Sequence, residues 1–157
     1  MMKKALALTA ALLSSSVLAD VIVEAPYARA VPPGQPNSAA FMTLNNGDKA
    51  VSLVSGSSSA AKVVELHTHT HKDGVMSMRK IDKIDLPANG EVSLEPGGLH
   101  VMLIGLKEQL KADQQIDLTL NFSDGTSQAL TLPVRSVMGG MKMSHGKGEG
   151  HQHKHHD

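Results

Sequence analysis

Histidine and methionine are abundant and clustered in this sequence, and both can bind transition metals. The chain has nine of each and no cysteine. Seven of them fall in two short segments: His67, His69, His71, Met76 and Met78 in the first, His100 and Met102 in the second. Imidazole nitrogen combined with thioether sulfur suits a soft or borderline metal ion. These residue types therefore predict a metal site.

The spacing of these residues is meaningful if they lie on strands. Residues two apart on a strand share a face, so His100 and Met102 can bind one ion together. The partner of Met78 across a hairpin depends on the turn between them. A four-residue loop puts His67 opposite Met78, whereas a two-residue Asp-Gly turn puts His69 there. Either partner would have its Cβ about 5 Å away, close enough to share a metal, so the residues alone leave both registers open.

The ligand types narrow the choice of metal to copper(I). Thioether sulfur is soft and uncharged, and zinc or hard ions gain little from it. The absence of cysteine also excludes a blue-copper electron-transfer centre, which needs a thiolate. Each methionine taken singly is more often a core filler, and a lone histidine is more often a surface or satisfied core residue. Their shared faces at strand spacing favour a joint role as ligands.

The last twenty residues, 138–157, form a second group of candidate ligands. They contain no apolar residue except methionine, so we expect a disordered tail that cannot fold alone. Its candidate ligands are Met138, Met141, Met143, His145, His151, His153, His155 and His156. The histidines suit copper(II), which prefers nitrogen, while the methionines favour copper(I). An expression tag is the alternative, but Gln152 and Lys154 interrupt the histidines, which favours a native metal-gathering arm.

The segments between these groups predict an all-β fold. Ten short β-type runs are separated by turn residues: Val21–Glu24, Ala39–Asn45, Ala50–Ser55, Val63–Thr68, Gly74–Lys80, Ile84–Leu86, Glu91–Leu94, His100–Ile104, Gln115–Phe122 and Ser127–Pro133. Even-numbered positions from Ile116 to Phe122 are all apolar, which is typical of a half-buried strand, and 123–126 suits a hairpin turn. A β-sandwich or Greek-key barrel follows, with a short helical turn expected at 106–110.

The first nineteen residues predict export. Lys3 and Lys4 precede a short apolar stretch, and Val17-Leu18-Ala19 gives a small-x-small pattern with cleavage expected after Ala19. Cleavage leaves 13 basic residues (15 less two lysines) against 15 acidic ones. This net charge near −2 argues against nucleic acid or an anionic membrane as a partner, and we expect no membrane insertion. The expected organisation is a signal peptide at 1–19, a folded domain at 20–137 and the tail at 138–157.

The pattern resembles the periplasmic copper chaperones of the PCuAC domain type. The motif of that family is a histidine, ten residues, a methionine, twenty-one residues and then His-x-Met. His67, Met78, His100 and Met102 match it without a gap, and the likeness covers about residues 20–137. The resemblance implies a cupredoxin-like Greek-key barrel in which these four residues bind one copper(I) ion. It also favours His67 over His69 opposite Met78, and it leaves His69 and His71 as auxiliary residues.

The resemblance further implies delivery of copper to cytochrome c oxidase, at its copper A or copper B centre. The expected partners are an oxidase subunit or another copper chaperone. The alternative is a periplasmic copper buffer or resistance protein, which the histidine-rich tail would suit. We do not expect an enzyme, because no residue set resembles a nucleophile with its base and four protein ligands would fill the copper(I) site.

Overall fold

The described part of the chain is built entirely from strands. The structure is a computed structural model that describes residues 20–136, and it contains no helix within that range. Its ten strands are β1 (Ile22–Arg29), β2 (Asn37–Asn45), β3 (Val51–Ser57), β4 (Ala61–Lys72), β5 (Val75–Ile81), β6 (Ile84–Leu86), β7 (Glu91–Leu94), β8 (His100–Leu106), β9 (Gln115–Phe122) and β10 (Ser127–Arg135). Each predicted strand is present, several of them longer than expected. The all-β prediction is confirmed.

The strands form one ten-stranded sheet in the order β5-β4-β8-β2-β1-β10-β9-β3-β6, with β7 also paired to β2. Among the described strands, β1 and β10 form the parallel pair, which consists of Ala28 with Val134 and Arg29 with Arg135. This short parallel pairing connects the six strands on the β1 side of the sheet to the four on the β10 side. The two parts share one hydrophobic core, so the sheet is folded over on itself.

The core is mainly aliphatic, and the whole sequence has only three aromatic residues, Tyr27, Phe41 and Phe122. The side chains of Leu118 and Leu120 are fully buried, and Phe122 is nearly so. The residues between them on β9 are only half-buried, which confirms the predicted alternation. Apolar side chains of β9 thus cover the core from one part of the sheet while those of β8, such as Leu103, cover it from the other.

The β4–β5 hairpin turns on two residues. Asp73 has φ 52° and Gly74 has φ 75°, and positive φ at both central positions is typical of a type I′ turn, whose twist matches that of the strands. Pairing therefore starts at once, with Lys72 opposite Val75, and it places His69 opposite Met78. The register that the resemblance favoured is wrong, because the Asp-Gly turn lets β4 continue to Lys72.

The helical turn expected at residues 106–110 is also wrong. The backbone there bonds to distant segments instead of to itself. The N–H of Leu106 donates to the carbonyl of Pro36 at 2.7 Å, and that of Lys107 donates to Ala60 at 3.0 Å. The carbonyl of Leu110 accepts from Val31 at 3.0 Å. These long-range bonds tie the segment to its neighbours and leave no i to i−4 ladder.

The predicted signal peptide at 1–19 and the predicted metal-binding tail at 138–157 lie outside the described residues. Within residues 20–136, no helix has the length and apolarity needed to cross a bilayer.

Candidate metal site

The candidate ligands of the folded part share the outer face of three neighbouring strands. On β8 the side chains of Val101 and Leu103 enter the core, so His100 and Met102 point to the opposite face. On β4 Leu66 is buried in the core, which places His67, and with it His69 and His71, on that same outer face. Antiparallel pairing sets His67 directly opposite His100.

A cavity of about 450 Å³ opens on this face and contains most of the candidate donors. Its lining includes His69, Met76, Met78, His100 and Met102. Phe41, Arg29 and the Pro96-Gly97 loop complete its wall. Three of the four motif residues therefore line one cavity. His67 lies beside it, with its ring centroid 5.7 Å from that of His100.

His100 is the best fixed of these side chains. It is only 2% exposed, and its Nδ1–H donates to the carbonyl of Gly98 at 3.0 Å. Burial lowers the pKa of His100 below its usual value, and the nearby His69 and His67 lower it further, while the bond to Gly98 opposes this. A lowered pKa favours the neutral ring, and the hydrogen on Nδ1 leaves the lone pair of Nε2 able to bind a metal.

The carbonyl of Gly98 is held in place by a tight loop. The N–H of Gly98 donates to the carbonyl of Glu95 at 3.0 Å, and the N–H of Glu95 donates to Leu99 at 3.0 Å. Gly97 has φ 85°, which a residue with a side chain adopts only with strain. The loop thus explains why a glycine stands at position 97.

His67 is oriented by a carboxylate. Its Nε2–H donates to Glu65 Oε2 at 2.8 Å, and the other oxygen of Glu65 lies 3.6 Å from Lys80 Nζ. The bond from His67 lowers the pKa of the Glu65 carboxyl. The remaining nitrogen of His67, Nδ1, is buried and has no hydrogen-bond partner among the described residues. A histidine held by a carboxylate through one nitrogen, with the other free, is common among metal ligands.

His69 has an arrangement that the sequence did not reveal. Its Nδ1–H donates to the same carbonyl of Gly98, at 3.2 Å, and its ring centroid lies 5.1 Å from that of His100. It faces Met78 directly across the hairpin. The sequence signal for this pairing of His69 with Met78 is the Asp-Gly turn. A two-residue turn at that pair sets one of the two registers that the residues left open.

The methionines of the site are accessible. Met76 is 51% exposed and Met78 is 49% exposed, because β5 is the edge strand of the sheet. His71 lies opposite Met76, one step nearer the hairpin tip than His69 and Met78. Exposed thioethers are free to change rotamer, so they can adjust to an ion.

Aromatic rings connect the site to the end of β10. Phe41 lies 6.2 Å from His100, and Tyr27 lies 5.4 Å from Phe41, between ring centroids. The guanidinium of Arg135, the last residue of β10, lies 5.5 Å from the Tyr27 ring. The end of the last strand is thus connected to His100 by a continuous row of side chains.

The nitrogen and sulfur donors of this face suit a soft metal ion such as copper(I). Within residues 20–136, no group of three or more His, Cys, Asp or Glu side chains is arranged to hold a metal ion. The donors that line the cavity are instead two imidazoles and three thioethers. Such a mixed set matches a soft cation, and the orphaned Nδ1 of His67 fits a further bond to an ion.

Comparison with known proteins identifies the family. The family model LpqE-like, described as "Putative lipoprotein LpqE-like", matches residues 21–134. The chain belongs to the LpqE-like family. This family is of the PCuAC type, so the resemblance drawn from the motif is confirmed.

Two relatives of this LpqE-like chain show a substantial likeness. "Putative lipoprotein Lxx21020" from Leifsonia xyli subsp. xyli is 38% identical over 108 residues, which are 68% of this chain and 65% of the relative. "Uncharacterized protein RP573" from Rickettsia prowazekii is 33% identical over 100 residues, 62% of this chain and 55% of the relative. The matched part of the chain thus spans about three fifths of the length of these relatives.

Solved structures of the same type share the fold. The copper-bound PCuAC domain from PmoF2 is 22% identical, with a TM-score of 0.64 over 76% of this chain and 96% of that domain. Apo-DR1885 from Deinococcus radiodurans is 33% identical, with a TM-score of 0.59 over 87% of this chain and 92% of that one. Its copper(I) form is 35% identical, covers 72% and 78% of the two chains, and has the same TM-score. The cupredoxin-like fold expected for this LpqE-like chain is confirmed.

Proposed function

We propose that this protein is an exported copper chaperone that binds copper(I) through His67, Met78, His100 and Met102. The observation that carries the proposal is the shared outer face of β4, β5 and β8, where Met78, His100 and Met102 line one cavity and His67 stands opposite His100. The orphaned, buried Nδ1 of His67 and the free Nε2 of His100 supply nitrogen. The copper-bound PmoF2 domain and the copper(I) form of DR1885 support the choice of metal.

An accessible site with neutral ligands suits transfer of the ion. Met78 is half exposed, so an incoming ligand can approach the ion from that side. Copper held by thioether and imidazole can pass to a partner by ligand exchange, because no charged thiolate has to be removed from it. We propose the copper centres of cytochrome c oxidase, or a second copper chaperone, as the acceptor. This role is not enzymatic, and it belongs in the periplasm after cleavage of the signal peptide behind Ala19.

A copper buffer is the second candidate, and the composition of residues 138–157 favours it. This segment carries five of the nine histidines and three methionines. Such a set can take several ions, copper(II) on nitrogen and copper(I) on sulfur. A buffer would hold several ions per chain and would load an acceptor no faster than free copper does.

Anaerobic copper(I) titration against a competing chelator tests the proposal. It compares the mature protein, a version ending at Val137 and the Met102→Leu variant. We expect one tightly bound ion in the first two, extra weaker ions only with residues 138–157, and loss of the tight ion in Met102→Leu. A tight ion that survives Met102→Leu, or that vanishes on truncation, would remove the four-ligand site. Transfer to a copper-free oxidase domain, faster than from free copper, separates the chaperone from the buffer.

A further inference from the structure

We propose that His69 is a direct copper ligand, binding through Nε2 in the cavity that Met78, His100 and Met102 line. This inference rests on the proposed copper binding and adds a donor that the sequence motif does not contain. It comes from three independent features of the fold: the hairpin register, the lining of the cavity and the hydrogen bonds of the two rings.

The register brings His69 to the methionine. The two-residue turn at Asp73-Gly74 pairs His69 with Met78, while His67 pairs with Lys80. Side chains directly opposite each other on an antiparallel pair have Cβ atoms about 5 Å apart. His67 is one diagonal step further from Met78, so His69 is the β4 histidine with the shorter approach to that sulfur.

The lining of the cavity also favours His69 over His67 as a ligand. His69 contributes to the wall together with Met78, His100 and Met102, whereas His67 does not. The ring centroid of His69 lies 5.1 Å from that of His100, and that of His67 lies 5.7 Å away. An ion that binds His100 Nε2 inside the cavity therefore has His69 within the same space.

One backbone carbonyl orients both rings. A carbonyl oxygen only accepts, so the contacts of Gly98 with Nδ1 of His69 and of His100 place the hydrogen of each neutral ring on Nδ1. The lone pair of each ring is then on Nε2. A backbone carbonyl that fixes the tautomer in this way is a common support for metal-binding histidine. His69 is thus oriented by the same carbonyl as the motif residue His100, and it has the same nitrogen, Nε2, available to a metal ion.

His67 is held through the other ring nitrogen than His69. Its Nε2 is committed to Glu65, and Glu65 is itself close to Lys80. His67 can reach an ion only through Nδ1 unless that bond breaks. Both of these β4 histidines thus keep one nitrogen free, Nδ1 in His67 and Nε2 in His69, and of the two only His69 lines the cavity.

The test uses the full mature chain, with His71→Ala as the matched control. His71 is the next histidine on the same face of β4, is exposed and lies outside the cavity lining. We expect His69→Ala to lower the affinity for the tight copper(I) ion at least tenfold, and His71→Ala to change it less than twofold. An unchanged affinity in His69→Ala overturns the proposal.

Nitrogen-15 NMR of the wild-type protein separates a ligand from a mere structural role. Addition of one equivalent of copper(I) is expected to shift the Nε2 resonance of His69 together with that of His100. An unshifted His69 Nε2 beside a shifted His100 overturns the proposal while leaving the copper function intact. If wild type holds no tight copper(I) and neither resonance moves, the proposed function itself has failed.

Discussion

The β4–β5 and β9–β10 hairpins differ in how far their apolar side chains are buried. Each reverses at an Asp-Gly pair, Asp73-Gly74 in the first and Asp124-Gly125 in the second. In β9 the side chains of Leu118, Leu120 and Phe122 are buried in the core, and that of Ile116 is partly buried. In β5 no residue is buried, and the methionines remain about half exposed.

The difference follows from the positions of the two hairpins in the sheet. β9 lies between β10 and β3, whereas β5 is paired on one side only. Methionines on an uncovered edge strand contribute little burial, so their stabilising role in the fold is small. The apolar residues that hold the core and the methionines proposed as donors thus lie in two regions. Substitutions in the first region should lower the free energy of unfolding, and substitutions in the second should lower copper affinity.

The largest effect on stability is expected from Leu120→Ala in β9. Leu120 is fully buried, and truncation of such a leucine removes apolar contacts and leaves a cavity. We expect the free energy of unfolding to fall by about 3 kcal/mol, measured by urea unfolding followed by circular dichroism. Copper(I) affinity of the folded variant should remain that of wild type. A loss below about 1 kcal/mol would contradict the division between the hairpins.

Met78→Leu in β5 should show the converse pattern. Leucine has a similar volume but no sulfur donor, so the free energy of unfolding should change by less than about 0.5 kcal/mol. Copper(I) affinity should fall at least tenfold, which corresponds to about 1.4 kcal/mol, measured by chelator competition.

Val75→Leu is the control for Met78→Leu, because Val75 is exposed on the same strand but points to its other face. It should leave copper affinity unchanged. Equal affinities in Met78→Leu and wild type would mean that the exposed methionines of β5 do not bind the ion.

The smallest effect concerns the turn of the β9–β10 hairpin. Asp124 accepts hydrogen bonds from the hydroxyl of Thr126 at 2.6 Å and from its N–H at 3.0 Å. These bonds lower the pKa of Asp124 below its usual value. The group therefore binds a proton more readily in the unfolded chain, and its stabilising effect is full above the ordinary aspartate pKa and is lost as pH falls through the lowered one.

The test is Asp124→Asn, which keeps the turn but removes the charge. Wild type should be more stable by less than about 1 kcal/mol at neutral pH, because the side chain is exposed. This difference should shrink as urea unfolding is repeated from pH 6 down to about pH 3, below the usual aspartate pKa. A difference that grows on acidification would contradict the assignment.

Much of the fold could be predicted from the sequence because its strands alternate and its turns carry Gly, Asn and Asp. The alternation from Ile116 to Phe122 predicted which side chains of β9 face the core, and the Asp-Gly pairs marked the turns of the two hairpins. The helical turn at 106–110 was wrong because its backbone partners, Pro36 and Ala60, are far away in the sequence. Local pattern carries no information about such bonds.

The candidate site could be predicted only in part, because local sequence does not determine every contact that forms it. The motif located Met78, His100 and Met102, which line one cavity, and their role as ligands stays a prediction. The choice of β4 histidine opposite Met78 was wrong because the motif counts residues along the chain, whereas the turn decides which side chains meet. The Glu65 contact of His67 and the shared Gly98 carbonyl depend on side-chain and loop geometry that spacing does not encode.

The row of side chains from His100 through Phe41 and Tyr27 ends at Arg135, the last residue of β10. Residues 138–157 follow Arg135 in the same chain, so their histidines and methionines are covalently attached to the molecule that carries the cavity. An ion that passed between these residues and the cavity would move within one molecule. The rate of such a step would be first order and independent of protein concentration, whereas loading from a second protein would rise with the concentration of that donor.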